Sequence, residues 1–179
     1  MISALIMASG LSKRMGQNKL LLPFRERPII EYTIDVVQKS AFSYRLLIVS
    51  DERIQNIGYQ KGINVVFNEN AHLGQSEAIK VGLLTAKESM GYAFFTGDQP
   101  LMDCQTISLL IDEFQHNQNR IIIPCYKGTK GSPVIFPSCL KKELLLIKGD
   151  NGGKIVINNH PDMVKYVEID NPLFLFDID

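Results

Sequence analysis

The 179-residue sequence has no excess of charge of either sign, because 19 Lys and Arg residues balance 19 Asp and Glu residues. Such a chain lacks the basic surface with which proteins bind nucleic acids or anionic membranes. We therefore expect neither a nucleic acid nor a membrane among its partners. Any phosphate chemistry must depend on a local cluster of cations.

Cysteine is also scarce, since Cys104, Cys125 and Cys139 are odd in number and have no CxxC spacing. This count argues against a disulfide framework and against a cysteine metal cluster. Three reduced thiols are typical of a cytoplasmic protein, and we predict that location. No apolar run approaches membrane-spanning length. The apolar N-terminus has no preceding basic residue and no small-residue cleavage site, so it predicts a strand and not a signal peptide.

The sequence has the composition of one folded domain over residues 1–179, with 45% hydrophobic and 21% charged residues. Apolar runs predict strands at 2–8, 45–50, 63–67, 92–96, 120–124 and 132–136, with extended segments at 164–169 and 174–178. Helices are predicted from residue 28, from 76 to about 89, and at 104–117, 140–147 and 154–159. This alternation predicts a mainly parallel sheet covered on both faces, with ligands beyond the carboxyl ends of its strands.

The first strand leads into a loop suited to a polyphosphate, and residues 5–23 read LIMASGLSKRMGQNKLLLP. Gly10 and Gly16 let the backbone approach a ligand closely. The surrounding cations are Lys13, Arg14 and Lys19. The loop fits neither GxGxxG nor GxxxxGK[ST], because Ser12 takes the second glycine position and five residues separate the two glycines. A hydride-transfer enzyme and a P-loop kinase are therefore disfavoured.

This loop resembles the LxAGxSxRMGxxK loop of the nucleotidyltransferases related to molybdenum-cofactor synthesis, with Ser9 where that family usually has Ala or Gly. Later segments resemble motifs of the molybdenum cofactor cytidylyltransferases in the same order. GDQPL at 97–101 resembles GDQP, and PCYKGTKGSP at 124–133 resembles P-x-[YF]-x-G-x-[RK]-G-H-P. GDNGGK at 149–154 resembles GDxGAR, and DID at 177–179 resembles the start of DIDTPED, whose remainder and following helix are absent.

The resemblance implies a three-layer Rossmann-like α/β sandwich with a mainly parallel, mixed sheet of the nucleotide-diphospho-sugar transferase type. It also implies transfer of CMP from CTP to the phosphate of molybdenum-bound molybdopterin, giving molybdopterin cytosine dinucleotide and pyrophosphate for a molybdenum hydroxylase. A guanylyltransferase on the same cofactor and a nucleotidyltransferase for another phosphorylated acceptor remain alternatives. A non-catalytic protein that carries the cofactor to a hydroxylase is an alternative of another class.

The resemblance also assigns roles to individual residues. The expected nucleotide-binding residues are Ala8, Ser9, Gly10, Ser12, Arg14, Lys19, Gly74, Ser76, Gly97 and Asp98. Of these, Arg14, Lys19 and Asp98 are the expected catalytic residues. The expected ligands for Mg²⁺ or Mn²⁺ are Asp98 and Asp179, with Asp177 as a further candidate. The expected acceptor-binding residues are Gly131, Ser132, Asp150 and Lys154. An ordinary helix cap remains an equal interpretation of Ser76.

Overall fold

The fold is built around the apolar segment that the sequence places first. A computed structural model describes residues 1–10 and 18–178. Six of the seven residues of the first strand, β1 (Ile2–Ala8), are buried, which explains why its sequence is apolar without alternation. Its predicted bounds are confirmed.

The elements follow one another in the alternating order that the sequence predicts. The remaining strands are β2 (Pro23–Phe24), β3 (Arg27–Pro28), β4 (Tyr44–Val49), β5 (Asn64–Phe67), β6 (Gly91–Thr96), β7 (Ile121–Tyr126), β8 (Thr129–Lys130), β9 (Val134–Pro137) and β10 (Val164–Glu168). The α-helices are α1 (Ile29–Lys39), α2 (Glu52–Lys61), α3 (Gln75–Thr85), α4 (Cys104–His116), α5 (Lys141–Leu145) and α6 (Lys154–Asn159). Short 3₁₀ helices span Lys19–Leu21, Ala71–Leu73, Ser138–Leu140, Pro161–Met163 and Pro172–Leu175. In the described ranges, no helix combines the length and the apolar character that crossing a membrane requires.

Eight of the ten described strands form one mixed sheet in the order β10-β7-β9-β6-β1-β4-β5, with β8 paired to β7, and β2 and β3 form a separate two-stranded antiparallel sheet. The central strand β1 is parallel to both β4 and β6. Strand β9 is inserted antiparallel between β6 and β7. The predicted mixed, mainly parallel sheet is therefore confirmed. Because Met7 of β1 pairs with Thr96 of β6, the loops that leave these two strands begin side by side.

Two apolar layers cover the faces of this sheet. On one face, α1 and α4 pack their buried stripes, the latter formed by Ile107, Leu110, Ile111 and Phe114 at the predicted helical spacing. On the other face, α3, α5 and α6 supply residues such as Leu83, Leu144 and Val156. Burial of each large apolar side chain contributes roughly 1.5–3 kcal/mol to the stability of the fold. The strands between the two layers are therefore firmly packed on both faces.

Two expectations about local structure are wrong. The predicted helix is present as α3, Gln75–Thr85, with its end within four residues of the expected position, but its N-cap is Gly74 and not Ser76. The backbone N–H of Ser76 donates to the carbonyl of Gly149, so this helix is capped by a distant segment of the chain. Residues 174–178 were expected to be extended, but the chain forms the 3₁₀ helix Pro172–Leu175, whose first turn is capped by the side chain of Asn171.

Candidate active site

A cavity of about 820 Å³ opens at the carboxyl ends of β1 and β6, which is a usual size for a small-molecule site. It lies where an α/β sheet is expected to bind its ligand. Its lining includes the following predicted site residues: Ser9, Gly10, Lys19, Gly74, Gly97, Asp98, Ser132, Asp150 and Lys154. The fold therefore brings together residues that are distant in the sequence, as the motif order predicts.

The charged centre of the cavity is an ion pair between Lys19 and Asp98. The Nζ atom of Lys19 lies 2.7 Å from Oδ2 of Asp98, and both side chains are partly buried. Lys19 also donates to the carbonyl of Ile178 at 3.1 Å, and the N–H of Ile178 donates to the carbonyl of Asp98 at 3.1 Å. The first loop, the turn after β6 and the C-terminal segment consequently meet at one point.

Local packing explains why Lys19 and Asp98 come so close. A Cβ atom on Gly97 would lie 2.9 Å from Cδ1 of Ile30 and 3.1 Å from Cδ1 of Leu20, so any other residue here would require these two side chains to shift. The side chain of Asn18 accepts the N–H of Leu20 at 3.2 Å and begins the 3₁₀ turn that carries Lys19. Both partners of the ion pair are thus positioned by backbone features next to them.

The carboxylate of Asp98 has the character of a metal ligand. Its Oδ2 accepts from Lys19, whereas its Oδ1 is buried and has no hydrogen-bond partner among the residues that the structure describes. A hard oxygen of this kind suits Mg²⁺ or Mn²⁺. Nowhere in residues 1–10 and 18–178 do three or more His, Cys, Asp or Glu residues gather to hold a metal ion. Within that part of the chain, Asp98 is thus a single carboxylate beside Lys19 and not a member of a group of possible ligands.

The segment that leads into α3 contacts the segment expected to bind the acceptor. Gly74 has φ +115°, and a Cβ atom there would lie 2.4 Å from the backbone of Gly149 and 2.7 Å from the backbone nitrogen of Asp150. The hydroxyl of Ser76 is buried without a described partner, and Ser76 does not line the cavity. Among the described residues, the Ser76 side chain therefore makes no contact that supports either its predicted role in nucleotide binding or its interpretation as a helix cap.

The opposite wall of the cavity combines exposed polar residues with apolar ones. Asp150 and Lys154 are exposed to solvent, whereas Phe136 and Leu144 are buried behind them. Ser132 lies between β8 and β9 and completes this wall. A flat organic group with charged or polar substituents would match such a surface.

Comparison with known proteins identifies the family to which this domain belongs. Residues 4–164 match the model of the MobA-like NTP transferase domain. The chain belongs to this family. The MobA-like domain thus includes the first loop, the turn with Asp98 and the cavity wall formed by Ser132, Asp150 and Lys154.

Relatives of this MobA-like domain include two curated transferases. A probable molybdenum cofactor guanylyltransferase of Natranaerobius thermophilus is 31% identical over 129 residues, which is 71% of this chain and 62% of that protein. The molybdenum cofactor cytidylyltransferase of Escherichia coli K12 is 26% identical over 187 residues, or 99% of this chain and 91% of that protein. The match to the first of these therefore spans less than two thirds of its length.

Solved structures share the fold of the MobA-like domain. Rv0371c of Mycobacterium tuberculosis H37Rv aligns with a TM-score of 0.83 and 24% identity, covering 99% of this chain and 92% of its own. Its complex with manganese aligns with a TM-score of 0.80 and 23% identity, covering 95% and 89%. The predicted nucleotide-diphospho-sugar transferase type of sandwich is confirmed.

Several predicted site residues have no place in the described cavity. Ser12, Arg14 and Asp179 lie outside the described residues and remain predictions. Asp177 is exposed and does not line the cavity, and Ala8 is buried at the end of β1. Gly131 packs against Leu175 rather than lining the cavity.

The MobA-like domain also uses a residue to which the sequence analysis assigned no role, Gln99. Its Oε1 accepts from the hydroxyl of Thr96 at 3.0 Å, and its Nε2 donates to the carbonyl of Leu175 at 3.4 Å. Gln99 is only 4% exposed, so this amide ties the end of β6 to the C-terminal segment. The GDQP motif contained the signal, because a buried amide in a turn needs partners for both of its ends.

A second anchor of the C-terminal segment is Asp103, the N-cap of α4. Burial favours its neutral form, but the N–H of Thr106, the side chain of Asn171 and the hydroxyl of Thr106 together hold the pKa of Asp103 below its ordinary value of 3.8. The Nδ2 atom of Asn171 lies 2.9 Å from Oδ2 of Asp103. The segment that reaches Asp98 is therefore fastened at Asn171 as well as at Leu175.

Proposed function

We propose that this chain transfers CMP from CTP to the phosphate of molybdenum-bound molybdopterin, releasing pyrophosphate and forming molybdopterin cytosine dinucleotide. The observation that carries this proposal is the Lys19–Asp98 pair, 2.7 Å apart, at the junction of the loops after β1 and β6. A cation and a metal-binding carboxylate placed together suit a triphosphate and its leaving group. A molybdenum hydroxylase would receive the product.

The chemistry requires positioning more than a protein nucleophile. A phosphate oxygen of the acceptor attacks the α-phosphorus of CTP in line, a new P–O bond forms, and the bond to the β-phosphate breaks as pyrophosphate leaves. Lys19 supplies positive charge beside the phosphates, and we assign the same task to Arg14. Because the acceptor phosphate is already ionised, no residue needs to remove a proton from it.

Asp98 would hold the divalent cation, together with Asp179 by resemblance. Bound there, Mg²⁺ or Mn²⁺ would neutralise charge on phosphate oxygens and on the departing pyrophosphate. The manganese complex of Rv0371c, a protein of the same fold, supports the choice of a divalent ion. Asp177 is the weaker candidate for a second ligand, because its side chain is exposed and away from the cavity lining.

Cytidine is proposed over guanosine from the ordered motifs and from the relative that spans 99% of this chain, which is a cytidylyltransferase. A guanylyltransferase is the second candidate, favoured by the 31% identity of the Natranaerobius protein. A direct comparison of products distinguishes them. The wild-type chain, Mg²⁺ and molybdenum-loaded molybdopterin are incubated with CTP or GTP, and the dinucleotide is identified by mass spectrometry. Faster formation of the guanine dinucleotide would reverse our assignment.

The Asp98→Asn variant tests the catalytic assignment in the same assay. We expect pyrophosphate release to fall by about two to three orders of magnitude, because the amide cannot balance a divalent cation. Asp112→Asn is the matched control, since Asp112 is exposed on α4 and away from the cavity. Equal rates for Asp98→Asn and wild type would remove Asp98 from the mechanism.

The carrier alternative makes a different prediction about ligand binding. A non-catalytic carrier should be stabilised by the molybdenum cofactor and not by CTP, whereas the enzyme should be stabilised by CTP with Mg²⁺. Thermal melting curves with each ligand separate the two functions.

A further inference from the structure

The first observation is a buried hydrogen bond that links two strand ends beside the cavity. Ser9 follows β1, is 6% exposed and lines the cavity, whereas Asn68 follows β5 and is 1% exposed. The Nδ2 atom of Asn68 lies 3.3 Å from Oγ of Ser9. The two residues are 59 positions apart in the chain, so the tertiary fold creates this contact.

The surrounding backbone determines which way this hydrogen bond points. The N–H of Asn70 can only donate, and it lies 3.2 Å from the side-chain oxygen of Asn68. The amide group of Asn68 must therefore present its NH₂ to Ser9, and the Ser9 oxygen must accept. The backbone N–H of Asn68 donates to the carbonyl of Val49, which keeps the amide in place.

The hydrogen atom of the Ser9 hydroxyl is consequently available to donate a further hydrogen bond. Within residues 1–10 and 18–178, the Ser9 hydroxyl accepts this one hydrogen bond and donates none. The backbone carbonyl of Ser9 accepts from the hydroxyl of Ser50 at 3.1 Å, so the residue itself is held firmly. A buried donor without a partner is unfavourable, and the adjoining cavity is the place from which an acceptor can come.

We propose that the Ser9 hydroxyl is an oriented donor to the bound nucleotide and that Asn68 is the positioning residue that gives it this polarity. The inference rests on the proposed function, because it takes the ligand in the cavity to be a nucleoside triphosphate. The acceptor on the ligand is an oxygen of the nucleoside, either the ribose 2′-hydroxyl or the carbonyl of the pyrimidine.

The test is the affinity for CTP with Mg²⁺, measured by isothermal titration calorimetry. Ser9→Ala should weaken binding about three- to tenfold, the expected effect of one lost hydrogen bond. Ser50→Ala is the matched control, because it removes a hydroxyl that holds the same residue but does not line the cavity. We expect Ser50→Ala to lower the melting temperature while affinity stays within about twofold of wild type. Wild-type affinity in Ser9→Ala would overturn the proposal.

Asn68→Asp tests the orientation separately. The substitution keeps an oxygen that accepts from the N–H of Asn70, but it replaces the NH₂ that faces Ser9 with a second acceptor oxygen. The Ser9 hydroxyl then donates to this oxygen and no longer donates into the cavity. The added negative charge also weakens CTP binding, and that effect is measured alone in the Ser9→Ala background. We expect Asn68→Asp to weaken binding at least threefold more in the Ser9 background than in the Ser9→Ala background. Equal effects in both backgrounds would contradict the role of Asn68.

The position of the acceptor follows from a titration with 2′-deoxy-CTP. If Ser9 donates to the ribose, Ser9→Ala should no longer weaken binding of the deoxynucleotide. If Ser9 donates to the base, the loss should persist, and either result supports the donor. Failure of wild type to bind CTP or GTP would overturn the proposed function and this inference together, whereas wild-type binding with unchanged variants would overturn this inference alone.

Discussion

The two sides of the cavity are built in different ways. The phosphate edge, formed by Gly10, Lys19, Gly97 and Asp98, lies beside the carboxyl ends of the two buried parallel strands β1 and β6. The opposite wall, called here the acceptor wall, is formed by Ser132, Phe136, Leu144, Asp150 and Lys154. It combines the end of strand β9 with short helices and loops, and its Asp150 and Lys154 side chains are exposed. The groups proposed to meet the reacting atoms thus lie next to the ends of sheet strands, whereas the groups proposed to bind the acceptor lie mostly on short segments that tolerate change.

Breaking the phosphate edge should produce the largest effect. In Lys19→Met, the Asp98 carboxylate loses the cation 2.7 Å away, and the triphosphate loses one of its proposed partners. We expect kcat/KM to fall by about two to three orders of magnitude. The measurement is steady-state pyrophosphate release, with Lys39→Met on the exposed end of α1 as the control. An unchanged kcat/KM would mean that Lys19 has only a structural role.

The contact between Gly74 and Gly149 connects the two sides of the cavity, and a substitution that disrupts it should have the second-largest effect. Gly74→Ala places a methyl group 2.4 Å from the Gly149 backbone at φ +115°, and we expect a loss of about 2–3 kcal/mol in the free energy of unfolding. Gly128→Ala is the matched control, because Gly128 also has positive φ (+84°) but nothing within 4 Å of its Cβ position.

The difference between the free energies of unfolding of Gly74→Ala and Gly128→Ala, measured with urea, gives the cost of the steric clash with Gly149. The loss in Gly128→Ala should be about 1 kcal/mol, the usual result of a side chain at positive φ. Equal losses in the two variants would show that the segment near Gly149 moves aside without resistance.

The anchor of the C-terminal segment at Asp103 should show a pH dependence. Because the pKa of Asp103 is lower in the folded state than its ordinary value of 3.8, its charged form stabilises the fold above that pH. The contribution is lost as pH falls below 3.8 and through the folded-state pKa. Asp103→Asn should lower the free energy of unfolding by about 1 kcal/mol at pH 7, because the amide NH₂ cannot accept from the Thr106 hydroxyl and from Nδ2 of Asn171 as Oδ2 does.

The difference between wild type and Asp103→Asn should shrink as urea unfolding is repeated at decreasing pH below 4. Asp162→Asn, at an exposed position, serves as the reference for a general change of charge. A difference that stays constant down to pH 2 would exclude a titrating role for Asp103.

Changes on the acceptor wall should have the smallest effects. Lys154→Met removes an exposed cation from the wall and should raise KM for molybdopterin severalfold, while kcat and the affinity for CTP stay near wild type. Lys148→Met is the neighbouring control, because Lys148 is exposed and does not line the cavity. An equal fall in kcat and kcat/KM for Lys154→Met would assign Lys154 to the phosphate edge instead.

The elements with strong periodic signals were predictable from sequence. Strand β1 has its predicted bounds, and α4 differs by one residue from the range 104–117, because continuous burial and helical spacing leave clear patterns. The position of the cavity at the carboxyl ends of strands was also expected, because ligands bind there in such sheets. That β1 and β6 are direct neighbours was not, because strand order depends on long-range pairing.

Other features depend on single tertiary contacts and had no local signature. The cap of α3 comes from Gly149, and the amide beside Ser9 comes from Asn68. The expected extended segment at 174–178 was wrong because its apolar residues are also compatible with a 3₁₀ turn after proline. In each case a distant or competing partner decided the conformation.

The packing of Gly74 on Gly149 has a thermodynamic consequence for the coupling between the two substrates. One substrate is proposed to contact the residues around Gly74, and the other is proposed to contact those around Asp150, while the backbones of the two segments touch. Linkage between two sites is reciprocal, so any factor by which CTP changes the affinity for the acceptor must equal the factor by which the acceptor changes the affinity for CTP. A heterotropic effect measured with either ligand therefore gives its size for both.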